Sequence, residues 1–313
     1  YRILSNESLK VNYNEFCSFM KEFDFPARTV SSLIFNLLPV KCNLVLVLDR
    51  TNWQFGTKNI NILMLGVSYK NVAFPLMFKM LDKRGNSDMA ERIELIKQYI
   101  EWFGKDNIEC LLADREFVGD KWMEFLNENR IRYYIRIRNN FKIYSYQKQA
   151  EIKAFWLFNN LKIGEFYHYP KIVQLHGQRC YLSGSKTIDR TGKMEFLIIV
   201  SFNKPEQAMT YYKQRWQIET LFRGLKSSGF NIEDTHVTDL ERLEKLFSLT
   251  MIAFLWCYKI GDYLDENIKK IEIKKHGRRA ISIFKYGLDH LSKFLFTGFN
   301  SLEYSLFCFL SCT

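Results

Sequence analysis

Residues 44–49 read LVLVLD, a run of five apolar residues that ends in Asp49. Residues 108–114 read IECLLAD and have a similar form, because a mainly apolar run ends in Asp114. Continuous β-prone runs of this length are typical of strands that are covered on both faces, as in the centre of an α/β sheet. The sequence therefore predicts two buried strands, each of which ends in a short carboxylate.

The surrounding sequence predicts further strands and helices. β-like runs cover residues 60–69, 72–80 and 196–202. The spacing of apolar residues predicts helices from the N-cap Ser87 to Gly104 and over residues 120–129, 205–227, 239–263 and 279–294. The apolar run at residues 246–258 is shorter than the roughly 20 residues that a membrane span needs. We therefore predict an α/β protein with a buried helix there and no membrane segment.

The composition points to a polyanionic partner or to simple solubility. The chain has 313 residues, a formal net charge of +11 and 16% aromatic residues. Excess positive charge attracts nucleic acids, and aromatic rings can stack on bases, but the same charge also keeps a protein soluble. The seven cysteines form no CxxC pair and no zinc-ligand spacing with histidine, which fits reduced thiols in a cytosol.

The two aspartates suggest metal-dependent phosphoryl chemistry. Hard divalent cations prefer carboxylate oxygens, and two such cations can act on the attacking and the leaving oxygen of a phosphoryl transfer. Strand ends hold short carboxylates rigidly, as a metal site requires. Taken alone, however, Asp49 or Asp114 fits a turn residue or a helix N-cap better than a metal ligand.

The helix predicted over residues 205–227 adds a third acid. At about 100° per residue, four polar residues fall within an arc of roughly 60° beside an apolar stripe. These residues are Tyr212, Arg215, Glu219 and Lys226. A carboxylate flanked by a phenol, a guanidinium and an ammonium suits a metal ligand among phosphate-binding groups. An exposed face with an Arg215–Glu219 ion pair of little energetic value fits the same spacing.

The same four residues resemble the YREK signature of bacterial DDE transposases of the insertion-sequence-four family. Trp216 and Ile218 also match the R-W-x-I-E of that family. Residues 49–51 (DRT) resemble its first aspartate motif, and residues 114–117 (DREF) resemble its second. Glu116 departs from the pattern, since related motifs often carry glycine there.

The resemblance implies a ribonuclease-H-like core and a metal site. In such a core Asp49 would end the first strand, Asp114 would follow the fourth, and Glu219 would lie on a late helix. These three residues would be catalytic and would hold two Mg²⁺ ions, for which Mn²⁺ would substitute. The reaction implied is cut-and-paste DNA transposition through strand cleavage, hairpin formation and strand transfer.

The resemblance also implies DNA contacts. Tyr212, Arg215 and Lys226 would contact phosphates of the transposon end. Trp216 would stack near a displaced base, although packing on the core explains this residue equally well. Trp156 is a weaker candidate for the same role.

Two basic segments are further candidates for DNA contact. Residues 130–138 (RIRYYIRIR) alternate, so that isoleucines and Tyr133 face one way and arginines the other. We predict that three of these arginines bind DNA: Arg132, Arg136 and Arg138. The cations between Lys269 and Arg279 surround one acid, Glu272, and fit phosphate contact or a solvated linker equally well.

Five segments follow from the resemblance and from a change to short β-like pieces after residue 138. They are a helical N-terminal region (1–43), the first part of the core (44–138), a β-rich insertion (139–195), the second part of the core with the catalytic helix (196–232) and a helical C-terminal region (233–313). The first residue is Tyr1, which fits a natural start further upstream.

The partners implied are transposon-end DNA, target DNA and a second copy of the chain in a synaptic complex. The location implied is the bacterial cytoplasm, at the nucleoid. Two other functions remain compatible with the sequence. One is a domesticated DNA-binding protein without catalysis, and the other is a structure-specific nuclease with a ribonuclease-H-like fold.

Overall fold

A computed structural model of the chain describes residues 15, 18–189, 191–227, 229–275 and 277–297. The structure divides into two compact units. The sheet unit comprises residues 39–52 and 59–221, and the helical unit comprises residues 1–38, 53–58 and 222–313.

The sheet unit is built on a mixed sheet of eleven strands in the order β3-β2-β1-β4-β5-β11-β10-β9-β6-β7, with β8 paired to β10. Its strands are β1 (Leu44–Phe55), β2 (Lys58–Tyr69), β3 (Val72–Met80), β4 (Ile108–Ala113), β5 (Tyr133–Ile137), β6 (Lys142–Ser145), β7 (Ala150–Lys153), β8 (Phe166–His168), β9 (Val173–Leu175), β10 (Gln178–Ile188) and β11 (Met194–Ser201). The β1–β4 and β4–β5 pairs are parallel, whereas β2–β3 and β5–β11 are antiparallel. The prediction of an α/β protein is thereby confirmed.

The helices lie in both units. They are α1 (Ala27–Leu37), α2 (Met89–Phe103), α3 (Asp120–Glu128), α4 (Ala208–Tyr212), α5 (Gln217–Lys226), α6 (Leu240–Asn267) and α7 (Ile283–Thr297). Short 3₁₀ segments occur at Ala154–Leu157, Pro205–Gln207, Lys213–Trp216 and Ile232–Thr235. Part of the predicted helical N-terminal region, residues 1–14, 16 and 17, lies outside the described residues.

The apolar runs quoted first form the buried centre of the sheet. Leu46, Val47 and Leu48 of β1 are fully buried, as are the last four residues of β4. The parallel register ends with the pair Leu48 and Ala113. Strand β1 itself runs on to Phe55, so the prediction that the strand ends at Asp49 is wrong. The physical reason is that β2 pairs along its other edge, so the strand continues after β4 has ended.

Two predicted helix details also change. Helix α2 is capped by Asp88 rather than Ser87, and Asp88 forms a reciprocal capping box with Glu91. The buried Ser87 hydroxyl instead accepts a hydrogen bond from Nε of Arg92. The single helix predicted over residues 205–227 is two α-helical pieces, α4 and α5, joined by the 3₁₀ segment Lys213–Trp216.

The strands β6 to β10 lie between β5 and β11, within the predicted β-rich insertion. Strand β10 is the longest of them and pairs with β11 from Tyr181 to Ile188. Gly184 lies in β10 where a Cβ atom would come within 2.6 Å of the Phe158 ring. The small residue therefore allows the buried ring to lie against the strand. The boundaries of the five predicted segments remain predictions.

The helical unit contains the apolar run 246–258 inside α6, where most of its residues are buried, so the predicted buried helix is confirmed. Helices α6 and α7 approach closely at two glycines. A Cβ atom on Gly287 would lie 1.8 Å from the Cys257 carbonyl oxygen, and one on Gly261 would lie 2.0 Å from that of Ile283. None of the described helices combines the length and the apolar character needed to cross a membrane.

Candidate active site

The first two acids lie side by side because of the strand register. The parallel pairing of β1 with β4 ends at Leu48 and Ala113, and Asp49 and Asp114 are the next residue of each strand segment. Residues that follow a matched pair of parallel strands lie next to each other, although Asp49 is still inside β1 whereas Asp114 follows the end of β4. Both side chains are partly exposed. The predicted pairing of these two acids is therefore present in the fold.

Arg215 connects the first acid to the third. Its Nη1 donates to Oδ2 of Asp49 at 3.2 Å, and its Nη2 donates to Oε1 of Glu219 at 3.1 Å. The Arg215 side chain is only 4% exposed, whereas the Glu219 side chain is 46% exposed. The i, i+4 ion pair that the sequence allowed is present, but it is one half of a bridge to Asp49.

Asp49 is the most perturbed acid of this group. Burial raises the pKa of its carboxyl to about 6, against the lowering effects of the Arg50 backbone N–H and of Arg215. The negative charges of Glu116 and Asp114 raise the pKa further. A carboxylate that is near other acids and largely removed from water is destabilised in its charged form. A cation in this position would offset that destabilisation.

Tyr212 contacts the second acid. Its hydroxyl donates to Oδ1 of Asp114 at 3.3 Å, and the side chain is buried. Burial and the charge of Asp114 raise the pKa of the phenol well above its usual value, so Tyr212 is a neutral donor at neutral pH. Burial lowers the pKa of Arg215, but the neighbouring Tyr212 and acids outweigh this effect and raise it. Tyr212, Arg215 and Glu219 thus form polar contacts with the two aspartates.

A second layer links the two aspartate motifs to each other. Nε of Arg50 lies 3.3 Å from Oε1 of Glu116, and Nη1 and Nη2 of Arg50 donate to the Asn61 and Asn86 side-chain oxygens. Arg50 follows Asp49, and Glu116 lies two residues after Asp114. Glu116, at which the second aspartate motif departs from the family pattern, is therefore the ion-pair partner of Arg50 in the first motif. The sequence identifies Arg50 as part of a motif, but no local pattern in it indicates the ion pair with Glu116.

The 3₁₀ segment is anchored from the sheet by Ser68 on β2. The Ser68 hydroxyl oxygen lies 2.9 Å from Oε1 of Gln214 and 2.8 Å from Oε1 of Gln217, at either side of Arg215. A 3₁₀ stretch inside a helix often marks a functional constraint. These contacts join residues about 150 positions apart, so sequence reasoning missed Ser68, Gln214 and Gln217.

The acids fit a divalent cation by their chemistry but are not preassembled around one. Carboxylate oxygens are the donors that Mg²⁺ prefers, and the crowding of acids around Asp49 favours a bound cation. In the part of the chain that the structure describes, however, no group of three or more His, Cys, Asp or Glu residues is close enough to hold a metal ion. Arg215 supplies the positive charge between Asp49 and Glu219 instead.

The other signature residues differ in their surroundings. Trp216 is 55% exposed, and the Arg215 guanidinium lies 4.9 Å from the centre of its ring. The interpretation of Trp216 as a residue packed in the core is therefore wrong. Lys226 belongs to the helical unit, where its Nζ lies 2.5 Å from Oε1 of Glu233 and 5.5 Å from the centre of the Trp53 ring.

The predicted basic strand face is largely neutralised. Arg132 pairs with Glu109 and Arg136 pairs with Glu195, while Arg138 lies exposed beyond the end of β5. Arg130 adopts a left-handed conformation (φ 56°) before the strand, which breaks the expected alternation. In addition, β5 is flanked by β4 and β11 rather than lying at an edge. Acids on neighbouring strands, which the local sequence does not show, account for the difference.

Trp156 lies in the 3₁₀ segment Ala154–Leu157 and is 52% exposed. Its ring packs edge-on against Phe155 at 6.3 Å between centres. The exposure leaves most of this ring able to contact a partner.

Comparison with known proteins identifies a family. A model of the transposase DDE domain matches residues 42–256. The comparison with curated proteins finds no match. Among solved structures, Bacillus subtilis endonuclease V is similar at 12% identity and a TM-score of 0.26, covering 79% of this chain and 95% of that one. An Argonaute of Marinitoga piezophila in complex with guide RNA and target DNA is similar at 12% identity and a TM-score of 0.24, covering 55% of this chain and 26% of that one. Because the family model spans about two thirds of the sequence and includes all three acids, the chain belongs to the transposase DDE domain family.

Proposed function

We propose that the protein is a metal-dependent DNA transposase of the insertion-sequence-four type that cuts and rejoins DNA. The observation that carries the proposal is the bridge from Arg215 to Asp49 and Glu219, beside the neighbouring Asp114. Family membership supports nuclease and strand-transfer chemistry on DNA. The mixed sheet with acids at one edge supports the assignment of a ribonuclease-H-like core.

Asp49, Asp114 and Glu219 are the residues that would hold the metal. When bound, Mg²⁺ supplies Lewis-acid stabilisation of the charge that develops on phosphoryl oxygens, and Mn²⁺ would replace it. Because Glu219 is largely exposed and is held only through Arg215, we expect its side chain to reorient when the site is loaded. The family implies two ions, which these three carboxylates would hold.

Arg215 and Tyr212 would act on the DNA backbone. The Nε atom of Arg215 is buried and has no hydrogen-bond partner among the described residues, so it would donate to a phosphate oxygen only after the side chain moves. The Tyr212 phenol stays protonated, and its single hydroxyl hydrogen would donate to a phosphate oxygen in place of Asp114. Lys226 would contact the transposon-end backbone, and Trp216 would stack on a displaced base. Of the three arginines predicted to bind DNA, Arg138 is the best candidate, because Arg132 and Arg136 are paired with acids.

The chemistry expected is a series of in-line displacements at phosphorus. Water would cut one strand at the transposon end, and the freed 3′-hydroxyl would attack the opposite strand to form a hairpin. Reopening of the hairpin and attack on target DNA would complete cut-and-paste transposition. The same acids can serve each step because only the attacking oxygen changes. A homodimer at the nucleoid would hold the two ends together.

The decisive experiment incubates the full chain with Mg²⁺ and DNA that carries candidate terminal repeats. Nicks, hairpins and joined products are then resolved on denaturing gels. Asp49→Ala, Asp114→Ala and Glu219→Ala should each abolish cleavage and retain end binding, whereas Glu124→Ala on the exposed face of α3 should cleave as the wild type does. Full cleavage by any of the three site variants would refute the assignment.

The same experiment separates the two alternatives. End binding without any metal-dependent product would support a domesticated DNA-binding protein. Nicks on many DNA structures without hairpins or joined strands would support a structure-specific nuclease.

A further inference from the structure

The basic stretch after α6 forms an ordered hairpin rather than a loose linker. Ile273 pairs with Arg279 in an antiparallel bridge. Backbone hydrogen bonds run from Lys274 N–H to the Arg278 carbonyl oxygen at 2.9 Å and from Ala280 N–H to that of Glu272 at 2.8 Å. Gly277 closes the turn in the left-handed region (φ 78°) that glycine adopts without strain. Residues 272–275 and 277–280, called the basic hairpin below, therefore have a defined backbone.

The hairpin and its approach are strongly and unevenly charged. Residues 268–280 contain one acid, Glu272, and six cations. The cations are Lys269, Lys270, Lys274, Lys275, Arg278 and Arg279. All six are exposed. This segment therefore carries a substantial share of the net charge of +11.

Part of this charge has a structural explanation. Lys269 and Lys270 follow the carboxyl end of α6, where cations interact favourably with the helix dipole. Nη2 of Arg279 lies 3.1 Å from Oδ2 of Asp265, and the other oxygen of Asp265 accepts from the Ile271 N–H at 2.6 Å. These contacts fasten the hairpin to the end of α6.

Lys274 and Lys275 have no such explanation. Within the described ranges of the chain, neither forms an ion pair. Their backbone is fixed by the turn, so binding a partner through them would order only two side chains. Two adjacent free ammonium groups on a fixed turn suit a partner with closely spaced negative charges.

We propose that the basic hairpin is a sequence-independent contact surface for the phosphate backbone of duplex DNA, with Lys274 and Lys275 as its main contacts. The choice of DNA over another polyanion rests on the proposed function. Lysine acts as a point charge, so these contacts would add affinity without reading bases. The exposed Ile273, at 58%, lies beside them and is also compatible with an anionic lipid surface, which the test addresses.

The test measures how DNA affinity depends on salt. Full-length wild type, the variant K274Q/K275Q and the control K105Q/K121Q bind a fluorescent 30-base-pair duplex of arbitrary sequence in EDTA. Lys105 and Lys121 are exposed residues of the sheet unit, so the control removes the same charge elsewhere. The logarithm of the binding constant falls as the logarithm of the salt concentration rises, and each lost phosphate contact makes this slope shallower by about 0.9. The slope for K274Q/K275Q should therefore be shallower than the wild-type slope by about 2. The slope for the control should equal the wild-type slope within error.

An unchanged slope for K274Q/K275Q, or an equal loss in the control, overturns the proposal. The proposal is also overturned if K274Q/K275Q keeps the wild-type salt dependence of DNA binding but loses binding to phosphatidylserine vesicles. Because no metal is present, the outcome does not depend on catalysis. If the wild type fails to cut end DNA but the slope falls as expected, only the proposed function fails. If it cuts end DNA and the slope does not change, only the hairpin proposal fails.

Discussion

Arg50 and Glu116 join the two aspartate motifs through a partly buried ion pair, with Nε and Oε1 3.3 Å apart. Each residue lies within two positions of a proposed metal ligand: Arg50 is in β1, and Glu116 is in the turn after β4. The β1–β4 register places the two backbones side by side, and the ion pair holds the turn after Asp114 against the residue after Asp49. A site that depends on the relative position of two carboxylates should be sensitive to this contact.

Loss of either partner should slow cleavage without removing a ligand. We expect Arg50→Ala and Glu116→Ala each to lower the single-turnover cleavage rate by about tenfold, which corresponds to about 1.4 kcal/mol. The double variant should be no slower than the slower single variant, because both changes remove one contact. Glu116→Gln, which still accepts a hydrogen bond, should retain most of the activity. Strictly additive effects in the double variant would show that the two residues act separately.

Arg215 should be needed for stability as well as for activity. Its removal leaves Asp49 without the cation that offsets its burial, and breaking a buried pair costs about 3 to 5 kcal/mol. Urea unfolding should therefore show a large loss for Arg215→Ala. Arg215→Lys should recover part of the stability but little cleavage, because one ammonium cannot replace the two-pronged contact with Asp49 and Glu219. A lysine variant with wild-type cleavage would contradict this role.

Asp49 should make the metal-free protein less stable as the pH rises. Its folded-state pKa of about 6 lies above the ordinary value of 3.8, so folding takes up a proton between these values. Stability falls as the pH rises through that window and stays lower above it. Asp49→Asn cannot ionise, and its amide oxygen can still accept from Arg215, so at pH 7 it should be more stable than the wild type. The difference should shrink towards pH 4.

The measurement is urea unfolding of both proteins in EDTA at pH 4 to 8. A stability difference that does not change with pH would show that Asp49 titrates normally. Added Mg²⁺ should stabilise the wild type more than Asp49→Asn above pH 6, because only the ionised carboxylate binds the cation strongly.

The glycine contact between α6 and α7 should tolerate no side chain. Alanine favours helix over glycine by about 1 kcal/mol, but overpacking costs about 1 to 3 kcal/mol or more. At Gly287 and Gly261 the added Cβ would lie 1.8 and 2.0 Å from a carbonyl oxygen, so the clash should prevail. Thermal unfolding of Gly261→Ala and Gly287→Ala should show a lower Tm, whereas Glu244→Ala on the exposed face of α6 should not. A raised Tm for either glycine variant would contradict this packing.

The centre of the fold could be predicted because its signals are local. Mainly apolar runs before Asp49 and Asp114 identify the buried strands, and the spacing of Arg215 and Glu219 identifies their contact. Residues on one helix or in one run carry their geometry in the sequence itself.

The parts that were missed depend on distant partners. The 3₁₀ segment before α5 is held by Ser68, which lies on β2 and has no distinguishing sequence feature. The arginines of β5 looked like a free basic face because Glu109 and Glu195, on the neighbouring strands, cannot be aligned with them before the sheet order is known. Strand pairing therefore decides which charges remain available to DNA.

The shared end of the β1–β4 register at Leu48 and Ala113 has a consequence for how this site can change. The position of each carboxylate is set by a count of residues along a strand, not by a contact that could be re-formed elsewhere. Deleting one residue from the run Leu44–Leu48 would place Arg50 where Asp49 now lies and turn the acid to the opposite face. Insertions and deletions in this strand should therefore inactivate the protein even where they leave its core apolar.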